Sequence, residues 1–146
     1  MPSITKQLAE HLEPLLPEEW DLFTVEASLG HLARPAVLLS YVSSAVHFSG
    51  AMALGKRYEI QATYVSTVTS DLEAADDDLW DAEQTVEAAL QKLPFVELTA
   101  SQRGTYGRDS EGNATNFAHI FSLQIGIPYT PEPEPEPEPD TTPEEA

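Results

Sequence analysis

The chain predicts an α+β fold with the element order α-β-β-β-α-β-β, two helices lying on one face of a mostly antiparallel sheet. Three observations predict it. Residues 36–48 and 56–69 read as two extended strands of about thirteen residues each, joined by a short turn. Residues 71–92 carry apolar side chains at three- and four-residue steps, the period of a helix buried on one side. Runs of strands with helices between them then place the helices on one side of a single sheet.

The elements follow in order. Ser3 caps a first helix reaching to about residue 15, with Ile4, Leu8, Leu12, Leu15 and Leu16 on its apolar face; Pro14 sits near its end and Pro17 stops it. Residues 20–25 form a short strand, residues 28–34 are irregular, and Pro35 opens the hairpin. At roughly 3.3 Å per residue each hairpin strand is about 43 Å long. A compact body of 130 residues has a radius of gyration of only about 14 Å, so the hairpin crosses its domain or projects from it. In the second strand Tyr58, Ile60, Ala62, Tyr64 and Val68 face one way and Glu59, Gln61, Thr63, Thr67 and Thr69 the other, the pattern of a half-solvated antiparallel strand. The first strand is apolar on both faces from Val37 to Val42 apart from Ser40, so it is central or meets another chain.

Ser70-Asp71-Leu72-Glu73 reads as a capping box opening the second helix. Its buried stripe is Leu72, Ala75, Leu79, Ala82, Val86, Ala89, Leu90 and Leu93; its wet face is Asp76, Asp77, Asp78, Asp81, Glu83 and Glu87. Lys92 suits the C-terminal end of the helix dipole, and Pro94 ends the helix. Residues 95–105 make a strand and GRDSEGN at 107–113 a turn. Residues 115–127 make the last strand, with Phe117, His119, Phe121, Leu123, Ile125 and Ile127 on one face.

The domain spans residues 1–130. Residues 131–146, PEPEPEPEPDTTPEEA, hold seven acids and no large apolar side chain, so nothing offsets the entropy of ordering them; they read as a disordered, polyproline-like acidic rod. The whole chain of 146 residues has a net charge of −18, and without that segment the body keeps −11. Such a surface repels nucleic-acid phosphate and anionic membranes. With no cysteine there is no disulfide framework and no thiolate metal site. The first residues lack the basic and apolar regions of a signal peptide, and no apolar run approaches the ~20 residues of a membrane span.

No catalytic or cofactor constellation emerges. Gly50 to Lys56 spells G-x-x-x-x-G-K, the start of a phosphate-binding loop, but Arg57 stands where Ser or Thr must hold Mg²⁺, and a strand follows where a helix is required. The segment reads instead as a hairpin loop. His11, His31, His47 and His119 lie on different elements; only His47 and His119, both on strands, have a route to each other. Asp76, Asp77 and Asp78 diverge by about 100° each around a helix and do not converge on one ion. Asn113-Ala114-Thr115 fits the glycosylation pattern without a secretory signal beside it. Interface candidates remain: Gly50, Met52, Leu54 and Gly55 at the hairpin loop, where apolar side chains sit at a tip, and Arg103 and Arg108, half of the arginines, which would dock on an acidic patch of another copy.

The order of elements, with "LPEEWDLF" after the first helix, then "RYEIQATYVS" and "DLEAADDDLWDAEQTVEAAL", resembles the tail terminator proteins of long-tailed siphophages, the lambda-type tail-completion fold, in the versions found in phages of actinobacteria. The resemblance spans roughly residues 1–128 and rests on pattern, since that family has no invariant motif. It implies a non-enzymatic structural virion protein without cofactor or metal. It implies partnership with itself in a hexameric ring, with the tail tube protein and with the head-completion or connector protein, DNA passing through the lumen unread. The expected place is the head-to-tail junction of the virion, after assembly in the host cytoplasm. The alternatives are a head-closure or tail-tube protein and a small ligand-binding or enzymatic α+β domain.

Overall fold

The computed structural model describes residues 2–24, 34–50, 52–68, 71–108 and 114–128. The expected irregular stretch from residue 28, the tip of the 107–113 turn, Asn113 and the acidic segment 131–146 fall outside the described residues, wholly or for the most part.

The fold is α+β with the expected order: α1 (Ile4–Leu12), β1 (Asp21–Phe23), β2 (Ala36–Ser49), β3 (Met52–Val65), α2 (Leu72–Gln91), β4 (Val96–Arg108) and β5 (Ala114–Pro128). Ser3 caps α1 by accepting from the Lys6 amide, and Pro14 converts the last predicted turn into a 3-10 turn over Glu13–Leu15. The five strands lie in the order β1-β2-β3-β5-β4. Only the β1–β2 pairing is parallel. The central strand is therefore β3, not β2, because β1 covers β2 only from Ala36 to Leu38.

Both helices pack on one face. Leu8 and Leu12 of α1 and Leu79, Ala82, Val86, Ala89 and Leu90 of α2 share one buried cluster with Val37, Leu39, Ile60, Ala62, Tyr64, Phe121, Leu123 and Ile125. These sheet residues alternate along their strands, so a single face supplies them. The two-sided apolar run of β2 has a partial explanation: Ala36 and Leu38, on the other face, are buried as well, together with Val65 and Ala118.

Two details of α2 differ from expectation. The N-cap is Asp71, whose carboxylate accepts from the amides of Glu73 and Ala74, while Ser70 lies outside the described residues. That frame puts Leu72 in the first helical position, where its side chain is 73% exposed and outside the buried stripe. The rest of the stripe is buried as expected.

Candidate functional site: the exposed end of the hairpin

The hairpin turn is tighter than the sequence indicates, and the second strand is shifted toward it: β3 runs Met52–Val65, so residues 66–68 of the expected strand lie beyond its end. Each strand has 14 residues, and Ser49 pairs with Met52, leaving a two-residue turn in place of a loop from Gly50 to Gly55. Gly50 has φ +62°, the left-handed conformation that primed two-residue turns demand and that glycine adopts without steric cost. The register slips twice, at Val42 on β2 and at Leu54 on β3, each slip a β-bulge with one extra residue. Gly55 is thereby a buried strand residue between His47 and Pro128, not an exposed interface position. Since β5 pairs with β3 only as far as Gly55, residues Met52 to Leu54 extend past it.

This end of the hairpin is apolar outside the core. Val46, Phe48, Met52 and Leu54 are 41%, 57%, 68% and 41% exposed. Val46 stands opposite Lys56, and Lys56 opposite Ile127, so these three share the helix-bearing face with Phe48 and Tyr58. Neither helix covers them: Ile127 is 41% exposed and Tyr41, farther along the same face, 52%. Tyr41 and Tyr58 rings meet at 6.4 Å, and the Lys56 ammonium lies 5.5 Å from the centre of the Tyr58 ring. The stretch from Ala36 to Tyr58 contains no acid, while Lys56 and Arg57 give it positive charge. Beside Ile127 a cleft of about 300 Å³ opens between α1 and the end of β5, lined by Ile4, Leu8, His11 and Phe95.

A second unusual surface is the outer side of α2. Its seven acids have no Lys or Arg among them in the helix. Glu73, Asp77, Trp80 and Gln84 follow one another at three- and four-residue steps, Asp81 stands four residues after Asp77, and all five are exposed. Trp80 is 58% exposed, a position that the sequence reading left unassigned.

Other expected site residues stand as follows. Arg103 pairs with Asp76 of its own chain at 2.7 Å, so its guanidinium is engaged within the protomer. Arg108 ends β4 opposite Ala114, away from the β2–β3 turn. His47 and His119 do not meet: they align with Gly55 and Tyr64 of β3, about 30 Å apart at strand rise. Two acids assigned to the wet face of α2 turn inward. Asp78 accepts from the hydroxyls of Tyr64 at 2.8 Å and Ser66 at 2.6 Å, both buried. Burial, reinforced by the adjacent Asp78, holds the Tyr64 hydroxyl protonated far above the ordinary phenol range. Glu83 lies 3.8 Å from His119 Nε2. His119 is 3% exposed, and neither ring nitrogen has a hydrogen-bond partner among the described residues. Burial lowers the imidazole pKa; Glu83 opposes that shift and Arg103 adds to it. The sequence signal for both sites was a polar residue at the edge of an apolar stripe, which periodicity alone assigns to solvent.

Among the described residues no group of three or more His, Asp or Glu side chains is placed to hold a metal ion. No described helix is long and apolar enough to cross a membrane. No protein-family model matches the chain, and no curated protein matches it.

Proposed function

We propose that this chain is a structural subunit that assembles with copies of itself into a ring, closing the top of a phage tail tube. In that reading the ring ends tube growth and offers the surface to which the head connector docks. Its place is the head-to-tail junction of the virion, after assembly in the host cytoplasm. The observation that carries the reading is the protruding end of the hairpin, where Val46, Phe48, Met52 and Leu54 lie outside the core in a chain otherwise rich in surface acid. A soluble protein keeps such a surface when something covers it. The open five-stranded sheet with two helices supports the terminator reading over a tube subunit, for which a closed barrel-like core with less helix is expected. An acidic body around a lumen would let DNA slide through without being held.

The deciding experiment is electron microscopy of a lysate in which the gene is deleted. An uncapped tube end keeps presenting the same surface to the next ring of tube subunits, so tails overrun their normal length and fail to join filled heads. Absence of tails would assign the chain to the tube. Tails of normal length beside leaking heads would assign it to head closure.

A further inference from the structure

We infer that the contact between neighbouring copies is head-to-tail: the exposed hairpin end of one copy seats on the acidic outer stripe of α2 in the next. The inference rests on the ring reading above and names the surfaces that make the ring.

Complementarity of charge and of apolar anchors carries it. The hairpin end offers Val46, Phe48 and Ile127 around Lys56, on a stretch free of acid. The α2 stripe offers Trp80 among Glu73, Asp77 and Asp81, on a helix free of Lys and Arg. Glu73, Asp77 and Asp81 take part in no ion pair among the described residues, whereas Asp76, one step around the helix, is occupied by Arg103. An exposed tryptophan beside carboxylates fits a partner that brings a cation on an apolar bed.

The two surfaces cannot meet within one chain. Asp78, next to the stripe, is bonded to Tyr64, and Lys56 lies eight residues farther along β3, about 26 Å away at strand rise. Two different, separated patches of one protomer make a heterologous contact, the kind that closes into rings when the rotation allows. The open sheet edges are weaker rivals. The exposed part of β2 carries the bulge at Val42, and the β4 edge a bulge at Thr99, and bulges discourage strand addition at an edge.

The test uses the full chain and mass photometry with sedimentation velocity over a concentration and salt series. A hairpin variant carries Phe48→Ser and Lys56→Glu; a helix variant carries Asp77→Ser and Trp80→Ser, so that the two altered surfaces do not complement each other. All four positions except Lys56 are more than a third exposed, and Lys56 is partly exposed, so circular dichroism melts should match the parent. Each variant alone should need at least about tenfold more protein to assemble, the size of effect expected for a central anchor. Mixed one to one, the two variants retain one intact hairpin and one intact stripe, so they should form dimers and nothing larger. Assembly of the parent should weaken as salt rises. Rings of the parent together with unimpaired variants would overturn the docking while leaving the ring reading standing; the hairpin would then belong to the tube protein or to the chain's own acidic segment. Mixtures that give no dimer would also overturn the docking. A parent that stays monomeric throughout would overturn both.

Discussion

Asp78→Ala removes the acceptor shared by two buried hydroxyls. Tyr64 is 1% exposed and Ser66 0%, and both donate to the same carboxylate oxygen, at 2.8 and 2.6 Å. A hydrogen bond to a charged acceptor contributes roughly 1.5–3 kcal/mol, and a buried donor left unpaired loses about 1–3 kcal/mol. These are two descriptions of one loss and are not summed. Asp78 itself is only half-buried, so water can enter behind the truncated side chain and recover part of it. The net expectation is about 3 kcal/mol for the pair of bonds. For a folded body between the usual small and medium sizes that lowers Tm by about 10 °C.

Differential scanning calorimetry and urea titration measure the change directly. A double-mutant cycle with Tyr64→Phe isolates one bond, and its coupling energy should be about 1–2 kcal/mol. Asp78→Asn keeps an acceptor of the same shape without charge and should recover about half of the loss. A cost below about 1 kcal/mol for Asp78→Ala would refute the reasoning, since it would mean that the hydroxyls find water as easily as they find the carboxylate.

Alkaline stability follows from Tyr64. Its pKa is raised in the folded state, so its contribution is complete below the ordinary phenol pKa near 10 and is lost as pH rises above it, by up to about 1.4 kcal/mol per unit; urea titrations at pH 9 and 11 should show this loss, and Tyr64→Phe should abolish that part of it. His119 has the opposite sign: its pKa is lowered, so stability is complete above the ordinary imidazole pKa of about 6.5 and falls as pH drops below it. Replacing it by Leu should flatten the acid limb of Tm against pH, and an unchanged limb would contradict the assignment. Gly50→Ala should cost about 1–2 kcal/mol from backbone strain alone, because a Cβ there meets nothing within 4 Å; a neutral result in a urea titration would mean that the turn relaxes out of positive φ. Truncation after Thr130 should leave Tm unchanged, and a drop of several degrees would show that the acidic segment packs on the body.

The layout of the sheet was legible because its signals are periodic. Ile60, Ala62 and Tyr64 alternate, and Leu79, Val86 and Leu90 recur at helical steps, so strand, helix and shared core were all readable. The errors fall where periodicity carries no information. A β-bulge inserts one residue and resets alternation, so Leu54 and Gly55 read as loop when they belong to a strand. Leu72 fits the helical stripe by spacing, but the Asp71 cap makes it the first helical residue, at the edge of the packed region. Asp78 and Glu83 look like surface acids beside Asp77 and Asp81; only their partners on β3 and β5, Tyr64 and His119, distinguish them, and those pairings are tertiary. Of the candidate site, Met52 and Leu54 were visible as apolar residues at a tip. Phe48, Val46 and Ile127 were not, because each sits at a strand position that a core could equally fill.

Two departures from the ordinary partition of polar and apolar groups among the described residues differ in kind. Beneath α2, polar groups are buried: Tyr64 and Ser66 are satisfied by Asp78, while His119 has no hydrogen-bond partner among the described residues and lies 3.8 Å from Glu83. That cluster ties the helix to the sheet at one end, and its cost and benefit are both internal to the protomer. At the hairpin end, apolar groups are exposed, and nothing among the described residues compensates them. Stability alone gives no reason to leave Phe48 and Val46 in water when Ser or Thr would keep the strand and remove the liability. Sequences depart from local consistency chiefly where function requires it. The satisfied part of the buried cluster needs no partner to explain it, whereas the exposed apolar hairpin surface is what the proposed contact with a second molecule would explain. Under the ring reading proposed above, the hairpin end supplies one half of the contact between copies, and the Tyr64–Asp78 cluster serves as scaffold.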